Sequence, residues 1–272
     1  MLKHCTITFI GGGQMATALI NGLIKAGVSS TNIRVTEPSH DKRRDLIDRY
    51  AVAAFPDNCA AVPGSDIVIL AVKPALIASV LPEIAPHLAK ETVLISIAAG
   101  IPLARLTELA PPRQPIVRVM PNTPSLIGAG ISALCPVAGI SPTALALAKA
   151  VMEAVGEVII LPNEAMMDGV TALSASGPAY VFLIAEALSD GGVACGLPRD
   201  LADRLTLQTL MGSAKLVADS GRHPGELKNQ VTSPAGTTIA GLMKLEQAGV
   251  RGALIAAVVA ACQRARELQS GR

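Results

Sequence analysis

Hydroxyl groups and small residues are concentrated in residues 227–238, just before an apolar-periodic segment near the C-terminus. Ser233, Thr237 and Thr238 supply the hydroxyl groups, and Gly236 gives the backbone conformational freedom. A helix that begins here also presents free backbone N–H groups, and such groups bind anions. The pattern therefore predicts a carboxylate-binding turn, although a Thr-rich helix cap without a ligand has the same residues.

A glycine fingerprint at residues 11–16 (GGGQMA) predicts a dinucleotide-binding site at the other end of the chain. It follows a strand pattern and precedes a helical one, which is the context that the G-x-G-x-x-A form requires. Gly11 allows the tight turn, Gly13 lets a pyrophosphate approach the backbone, and Ala16 permits close helix–strand packing. Gln14 and Met15 complete this expected cofactor-binding turn. A glycine turn of purely structural value is the alternative.

An acidic residue, Glu37, stands at the end of the second strand pattern. A carboxylate at this place usually accepts the ribose hydroxyl groups of the cofactor and favours NAD. Lys42, Arg43 and Arg44 follow closely and are suited to a 2′-phosphate group, or they only solvate the next helix. The sequence leaves the choice between NADH and NADPH open.

Two further polar segments follow strand patterns: residues 71–74 (AVKP) and residues 120–124 (MPNTP). Ligands of open α/β sheets bind at the carboxyl ends of the strands, so Lys73 is expected to face the cofactor. The two prolines of the second segment stiffen a loop that presents Asn122, which is suited to fixing a nicotinamide amide. An ordinary strand-to-helix turn and a structural loop are the alternatives.

The composition excludes several classes of protein. A net charge of +2 is too small for a nucleic-acid-binding surface. Five scattered cysteines have neither disulfide nor metal spacing and fit a reducing cytoplasm. The longest apolar stretch, residues 253–262, is too short to span a bilayer. We therefore expect a cytoplasmic protein with no nucleic-acid, membrane or metal partner, and the apolar excess of half the residues indicates subunit interfaces.

Short apolar strand patterns alternate with helical patterns over the first 160 residues, which predicts an α/β fold with a Rossmann-type doubly wound sheet. Strands are predicted at residues 6–10, 33–36, 67–72, 92–97, 116–119 and 157–161, and helices at residues 14–26, 41–50, 103–109 and 142–155.

No strand pattern returns after Pro162. We therefore predict a dinucleotide-binding domain at residues 1–162 and an all-helical (all-α) domain at residues 163–272. The helices of the second domain are predicted at residues 164–192, 198–220, 237–247 and 251–269, the first of them kinked at Gly177-Pro178 or split into a pair.

The predicted helical domain is poor in acid–base catalysts. It holds one histidine, His223, and no lysine lies between Lys149 and Lys215. Oxidation of an alcohol generally needs such a base near the carbinol. Reduction of an imine fits better, because a protonated C=N bond accepts a hydride directly.

Together these motifs resemble the pyrroline-5-carboxylate reductase family. The last matching segment is similar to the family signature and is highly specific, whereas the first is shared by many dehydrogenases. The matches occur in the family's order and cover nearly the whole chain: GGGQMA (11–16), AVKP (71–74), SIAAGI (96–101), MPNTP (120–124), SASGPAY (174–180), GLPRDLA (196–202) and HPGELKNQVTSPAGTTIAGLMKLE (223–246).

The resemblance implies an oxidoreductase that makes L-proline from 1-pyrroline-5-carboxylate, a cyclic imino acid, with NADPH or NADH, in the last step of proline biosynthesis. It implies that the C-terminal domain binds substrate and interlocks two subunits into a homodimer. Many members assemble their dimers further, often into decamers. The sheet domain is implied to be a Rossmann domain.

The resemblance also assigns site residues. Ser233, Gly236, Thr237 and Thr238 bind the substrate carboxylate in this assignment, and Thr238 stands near the ring nitrogen as a hydrogen-bond partner and proton donor. The implied cofactor residues are Asn58, Ala71, Val72, Lys73 and Pro74, with Ala98 and Asn122 beside the nicotinamide.

The chain departs from the family pattern at Ala175 and Ala235, where many members have glycine, and neither change removes a polar group. Two alternatives remain. A relative of the β-hydroxyacid dehydrogenases is disfavoured by the missing lysine. A non-catalytic dinucleotide-binding protein is disfavoured by the polar residues of the 233–238 turn.

Overall fold

The computed structural model describes residues 1–269, and these form one eight-stranded sheet with α-helices and short 3₁₀ turns between its strands. The strands are β1 (Ile7–Ile10), β2 (Ile33–Thr36), β3 (Ala53–Phe55), β4 (Ile67–Leu70), β5 (Val93–Ser96), β6 (Ile116–Met120), β7 (Gly130–Pro136) and β8 (Gly156–Ile160).

Helices flank the sheet, and they are all the regular elements described after β8. They are α1 (Gln14–Lys25), α2 (His40–Tyr50), α3 (Asn58–Ala61), α4 (Ile77–Ile84), α5 (Leu103–Leu109), α6 (Pro142–Glu153), α7 (Met167–Val170), α8 (Gly177–Ala194), α9 (Arg199–Ser220), α10 (Pro224–Gln230), α11 (Thr237–Gln247) and α12 (Val250–Gln269). A π-helical turn, Thr171–Ala175, links α7 to α8.

The strand order β3-β2-β1-β4-β5-β6-β7-β8 makes this a doubly wound sheet. β1 pairs in parallel with both β2 and β4, so the chain order reverses beside β1. Ligands of such sheets bind in the crevice beyond the carboxyl ends of the strands at that point. The topology thus places a candidate site at the end of β1.

Continuous apolar strands form the core of the sheet. All four residues of β1, β4 and β5 are buried, because helices cover both faces. One apolar cluster joins the strands to α1 and α6, and a second joins them to α4 and α5. The predicted Rossmann-type sheet is therefore confirmed.

The structure adds elements that the apolar patterns did not predict. β3 is a three-residue edge strand, and β7 pairs antiparallel with β6, so the sheet is not wholly parallel. α4 carries Pro82 inside it, and α10 is a short polar helix. All six predicted strands are present, with ends that differ by at most two residues.

The chain divides into two compact units. Among the described residues, the first comprises Met1–Ser176 and residues 261–269, and it contains the whole sheet. The second, Gly177–Ala260, is helical throughout its regular elements. Our boundary at Pro162 stays a prediction about where the dinucleotide-binding fold ends, and β8, which ends at Ile160, lies just before it.

The second unit has few buried side chains of its own. Only Ser189 and Ala202 are buried among its residues, whereas many large apolar side chains on α8, α9, α11 and α12 are exposed. By length and composition alone, the helical stretch Glu164–Ala194 could cross a membrane, and the bent pair α11–α12 passes the same test.

Candidate active site

The glycine loop between β1 and α1 has the geometry of a phosphate-binding turn. Gly11 has a φ of +101°, and a Cβ placed on it would lie 2.8 Å from the carbonyl oxygen of Ala71. A Cβ on Gly13 would meet no atom of residues 1–269 within 4 Å. Gly11 is therefore required by the close approach of the residue that follows β4. Gly13 leaves open space for a ligand at the N-terminus of α1.

The residues that begin α1 divide between solvent and core. Gln14 is exposed and Met15 half-buried, whereas Ala16 is 1% exposed and belongs to the apolar cluster that joins α1 to the strands. The small side chain of Ala16 suits close packing of the helix on the strands. Gly13 is the N-cap and provides no side-chain cap, so the first N–H groups of α1 are free to bind an anion.

Glu37 lies directly after β2 with its side chain folded inward, 9% exposed. Its Oε1 accepts a hydrogen bond from the N–H of Ser39 at 3.1 Å. Its Oε2 would lie 3.4 Å from a Cβ on Gly12, so the carboxylate faces the glycine loop. Arg43 donates through Nη1 to the carbonyl oxygens of Glu37 and Pro38, which holds its guanidinium on the main chain.

A groove of about 390 Å³ opens beside the same loop. The loop contributes Gly12, Gly13 and Gln14 to its wall, and α2 contributes Lys42, Asp45 and Arg49. Asp45 and Arg49 form an ion pair at 3.1 Å. This wall combines charged groups of both signs with the open end of α1.

A chain of hydrogen bonds fixes Asn58 beneath the glycine loop. The Thr36 hydroxyl donates to Oδ1 of Asn58 at 2.7 Å, and Nδ2 of Asn58 donates to Oε2 of Glu83 at 3.3 Å. Gly11 donates its N–H to the carbonyl oxygen of Thr36 at 3.0 Å. Sequence reasoning missed Thr36 and Glu83, because contacts between residues more than twenty positions apart leave no periodic signal.

Asp57, Cys59 and Glu83 lie close enough to hold one metal ion, with ligand atoms within 4.8 Å of one another. Asp57 already accepts the N–H of Cys59 as the cap of α3, and Glu83 orients Asn58. Burial and the carboxylates of Glu83 and Asp57 raise the pKa of the Cys59 thiol, which keeps it in the form that binds metals poorly. Our expectation of no metal site stays a prediction.

The segment Ala71–Pro74 leaves β4 next to the glycine loop. Ala71 donates its N–H to the carbonyl oxygen of Ile10 at 2.9 Å, and Val72 packs partly buried against the second core cluster. Lys73 is exposed and precedes a 3₁₀ turn that starts at Pro74 and leads into α4. These four residues thus lie at the edge of the sheet where a dinucleotide is expected.

Ala98 and Asn122 follow β5 and β6 at the same edge. Ala98 is 3% exposed and donates its N–H to the Ser96 hydroxyl. Oδ1 of Asn122 accepts the N–H of Ile131 at 3.0 Å, and its Nδ2 donates to Oγ of Ser174 at 3.4 Å. Both ends of the Asn122 amide therefore organise the loop, and Ser174 on the π-helical turn is a partner that the sequence did not reveal.

An ion pair with a buried guanidinium and a partly exposed carboxylate joins Arg118 of β6 to Glu164. Arg118 is 1% exposed, and its Nη1 donates to Oε1 of Glu164 at 2.6 Å. The same oxygen accepts the N–H of Leu103 at the start of α5. The pKa of the neighbouring Cys135 thiol is raised, because burial and the Glu164 carboxylate outweigh the opposite effect of Arg118. Glu164 thus ties the loop that follows β5 to β6 and to the segment that follows β8.

The hydroxyl-rich turn lies in the second unit, between α10 and α11. Gly236 is the N-cap of α11, and a Cβ on it would overlap the Ser233 hydroxyl. Ala235 has a φ of +55°, a left-handed conformation that favours glycine. Thr237 and Thr238 open the helix, exposed and half-buried respectively. The structure therefore places Ala235 in a conformation that suits glycine, and it brings Ser233, Gly236, Thr237 and Thr238 into one turn.

Comparisons with known proteins identify the family. A model described as pyrroline-5-carboxylate reductase dimerisation matches residues 164–268, and one described as NADP oxidoreductase coenzyme F420-dependent matches residues 6–100. A pyrroline-5-carboxylate reductase of Synechocystis sp. is 46% identical over 95% of this chain and 96% of the relative. The chain belongs to the pyrroline-5-carboxylate reductase family.

Solved pyrroline-5-carboxylate reductases share the fold over the full length. The enzyme of Coxiella burnetii is 38% identical, with a TM-score of 0.90 over 97% of this chain and 98% of that one. The Plasmodium falciparum enzyme, solved with NADP bound, is 33% identical with a TM-score of 0.90 over 99% of this chain and all of that one. Membership of this oxidoreductase family favours an enzyme over a scaffold, and this family over the β-hydroxyacid dehydrogenases.

Proposed function

We propose that the chain reduces 1-pyrroline-5-carboxylate to L-proline, the last step of proline biosynthesis, with NADPH or NADH as the hydride donor. The observation that carries the proposal is the match to reductases of this name over nearly the whole of both chains. The glycine loop and the hydroxyl-rich turn give the two chemical functions that the reaction needs, cofactor binding and carboxylate binding.

The first unit fits a dinucleotide, because Gly13 leaves open space at the free N–H groups of α1. In the proposed site the residues at the ends of β1, β2 and β4 bind the cofactor, and Ala98 and Asn122 border its nicotinamide. When bound, the cofactor supplies a hydride. The remaining proposed cofactor residues are Gly11, Gln14, Met15, Ala16, Glu37, Asn58, Ala71, Val72, Lys73 and Pro74.

The second unit is proposed to bind the substrate at the N-terminus of α11. Ser233, Gly236 and Thr237 hold the carboxylate through hydroxyl and backbone N–H groups. Thr238 donates a hydrogen bond to the ring nitrogen. Once the ring nitrogen has been protonated, the hydride forms the new C–H bond at the iminium carbon, and the C=N π electrons become the lone pair of the secondary amine.

A hydroxyl group is sufficient for this chemistry. The iminium carbon is electrophilic once the nitrogen is protonated, so no strong base has to remove a proton before the hydride is transferred. Thr238 orients the nitrogen and delivers or relays a proton, and correct positioning supplies much of the rate. This agrees with the scarcity of histidine and lysine in the helical region.

A homodimer is the proposed assembly, since the matched family model is one of dimerisation. The second unit exposes Phe182 and Leu183 on α8 and Leu207 on α9 around a groove of about 730 Å³. Exposed apolar area of this extent is typical of a subunit interface. A second copy rather than a lipid bilayer is the proposed cover, and a decamer of five dimers is the proposed higher assembly.

A cytoplasmic location is proposed, because all five cysteines are free thiols and such thiols persist in reducing compartments. The proposed partners are the cyclic imino acid, the cofactor and further copies of the chain, without nucleic acid, membrane or metal.

The decisive assay follows oxidation of NADH and of NADPH by the purified protein with 1-pyrroline-5-carboxylate. We expect substrate-dependent oxidation and formation of proline. Absence of oxidation with both cofactors, in protein shown to be folded, would rule out the proposed reaction.

Thr238→Ala tests the role of the hydroxyl group. Loss of one transition-state hydrogen bond should lower kcat about 10- to 1000-fold with little change in the melting temperature. Thr143→Ala, an exposed threonine at the start of α6, is the matched control. Equal kcat in the Thr238 variant and the wild type would remove Thr238 from the chemistry.

A further inference from the structure

We propose that Ser174 is a positioning residue: it holds the side-chain amide of Asn122 so that one N–H of that amide is free to donate to the carboxamide oxygen of a bound nicotinamide. The inference rests on the proposed cofactor-dependent reduction and deepens the role of Asn122 in it. Ser174 opens the segment 174–180, and no residue of that segment takes part in the proposed cofactor or substrate contacts.

Two contacts hold the amide of Asn122, which follows β6 at the carboxyl edge of the sheet. The N–H of Ile131 near the start of β7 donates to Oδ1 at 3.0 Å, and Nδ2 donates to Oγ of Ser174 at 3.4 Å. A backbone N–H can only donate, whereas a hydroxyl group can donate or accept. The Ile131 contact therefore decides which end of the amide is oxygen, and Nδ2 faces Ser174.

The contact with Ser174 fixes the plane of this amide. A planar group held only at Oδ1 can still turn about that hydrogen bond, whereas a contact at each end removes this freedom. An amide nitrogen carries two N–H groups, and only one of those of Asn122 has an acceptor among residues 1–269. Asn122 and Ser174 are both half-buried, so a ligand at the strand ends can reach the remaining N–H.

The turn that carries Ser174 is of an unusual kind. In the π-helical turn Thr171–Ala175, the N–H of Ser176 donates to the carbonyl oxygen of Thr171 at 2.9 Å, five residues back instead of four. Successive residues of an α-helix lie about 100° apart around its axis, so an extra residue in one turn changes the direction of the side chains that follow. Such turns are rare and are frequent at functional sites, which supports a role for Ser174 in the site.

A purely structural role for Ser174 is the competing explanation. At 3.4 Å its hydrogen bond with Asn122 is long, so the bond should add little to the stability of the fold. Asn122 also remains tied to the main chain through Ile131. Loss of the Ser174 hydroxyl group should therefore affect the ligand that uses the free N–H more than it affects folding.

Binding of the intact cofactor and of a fragment that lacks its nicotinamide separates the two explanations without any turnover. Isothermal titration calorimetry on the full-length protein would compare NADPH with 2′-phospho-ADP-ribose, and NADH with ADP-ribose. Ser174→Ala should weaken the intact cofactor about two- to tenfold, the effect of one neutral hydrogen bond, and leave the fragment unchanged. Equal weakening of cofactor and fragment, or no weakening of either, would overturn the inference.

Two further variants show whether the hydroxyl group itself is responsible. Ser174→Thr keeps the hydroxyl group and should recover most of the affinity for the intact cofactor. Ser125→Ala is the matched control, because Ser125 is buried in the loop that follows Asn122 and its hydroxyl group has no hydrogen-bond partner among the described residues. A loss in either variant as large as that in Ser174→Ala would contradict the proposed role.

Kinetics add a second measurement. With both ligands saturating, Ser174→Ala should lower kcat, because the nicotinamide is less well aligned with the imine carbon, and leave the KM for 1-pyrroline-5-carboxylate unchanged. If Ser174→Ala does not fold, as judged by circular dichroism, Ser174→Cys takes its place with the same expected differences, since a thiol is a weak acceptor.

The outcomes separate this inference from the proposed reaction. The expected difference in binding, with no reduction of 1-pyrroline-5-carboxylate by the wild type, supports the role of Ser174 and contradicts the reaction. Unchanged binding by Ser174→Ala, while the wild type reduces the substrate, overturns the inference alone. Failure of folded wild-type protein to bind any of these cofactors and fragments contradicts the cofactor site and the inference together.

Discussion

Gly11 and Gly13 lie two residues apart in the glycine loop, and glycine is needed at the two positions for different reasons. The fold constrains Gly11, which has a positive φ and faces the backbone of Ala71. No atom of the described residues comes within 4 Å of a Cβ placed on Gly13, so its missing side chain leaves open space. A glycine without a structural reason at the N-terminus of a helix is best explained by a ligand that needs the room.

The two glycines should therefore respond differently to replacement by alanine. Gly11→Ala should destabilise the fold by about 1–3 kcal/mol from backbone strain alone, before the contact with Ala71 is counted. Gly13→Ala should leave stability nearly unchanged and weaken cofactor binding. Chemical denaturation and cofactor titration of both variants measure this difference, and a Gly13 variant that binds cofactor normally would contradict the assigned role.

At the scale of elements, the Arg118–Glu164 pair joins three parts of the first unit. It connects β6 to the segment that follows β8, and Glu164 also accepts the N–H that opens α5. A buried guanidinium is tolerated only with a charged partner, because desolvation of an unpaired charge is unfavourable. Glu164 therefore joins β6 to the end of the loop between β5 and α5, which also carries Ala98.

Glu164→Gln tests that connection. Glutamine can still accept the N–H of Leu103, so the change mainly leaves Arg118 buried without an opposing charge. We expect a loss of about 3 kcal/mol in the free energy of unfolding, toward the low end for a broken buried pair, since Glu164 is partly exposed. Glu157→Gln on the exposed face of β8 is the control, and a comparable loss in that variant would show that the pair has no special role.

The sequence predicted elements where burial imposes a clear pattern. The strands covered on both faces, such as β1, β4 and β5, are continuous apolar runs. β3 has three small or half-exposed residues, and β7 mixes glycine, serine and proline, so neither has a strand period that stands out. Their places depend on pairing with neighbouring strands, which is a tertiary property.

The candidate site shows the same division. The glycine loop and the 233–238 turn are short continuous segments, so their residue types alone are enough to predict a binding turn. Asn58 and Asn122, by contrast, bond to Glu83 and Ser174 among their partners, and these two residues are distant along the chain. No spacing rule connects residues that meet only after the sheet has formed.

At the scale of the whole molecule, the proposed dimer is needed to cover the second unit. A helical unit with two buried residues has little core of its own, so its stability should depend on the concentration of the chain. Leu183→Asp combined with Leu207→Asp would place charges in the groove between α8 and α9.

We expect this double variant to be monomeric, or to lose its helical unit, whereas the wild type is a dimer or larger. Light scattering coupled to size-exclusion chromatography reports the mass. Ile47→Asp, an exposed apolar residue on α2, is the control and should not change it. A double variant with wild-type mass would place the interface elsewhere, and the wild-type mass itself distinguishes a dimer from a decamer.

The end of α12 returns to the sheet-bearing unit. Residues 261–269 belong to the first unit, where Ala265 is buried and both Gln269 and Arg266 contact Asp168 of α7. During synthesis, the strands of the sheet therefore leave the ribosome long before residues 261–269, which belong to the same unit. The first unit finishes packing only after the helical unit has been made, so nascent chains should remain susceptible to proteolysis until this late segment docks.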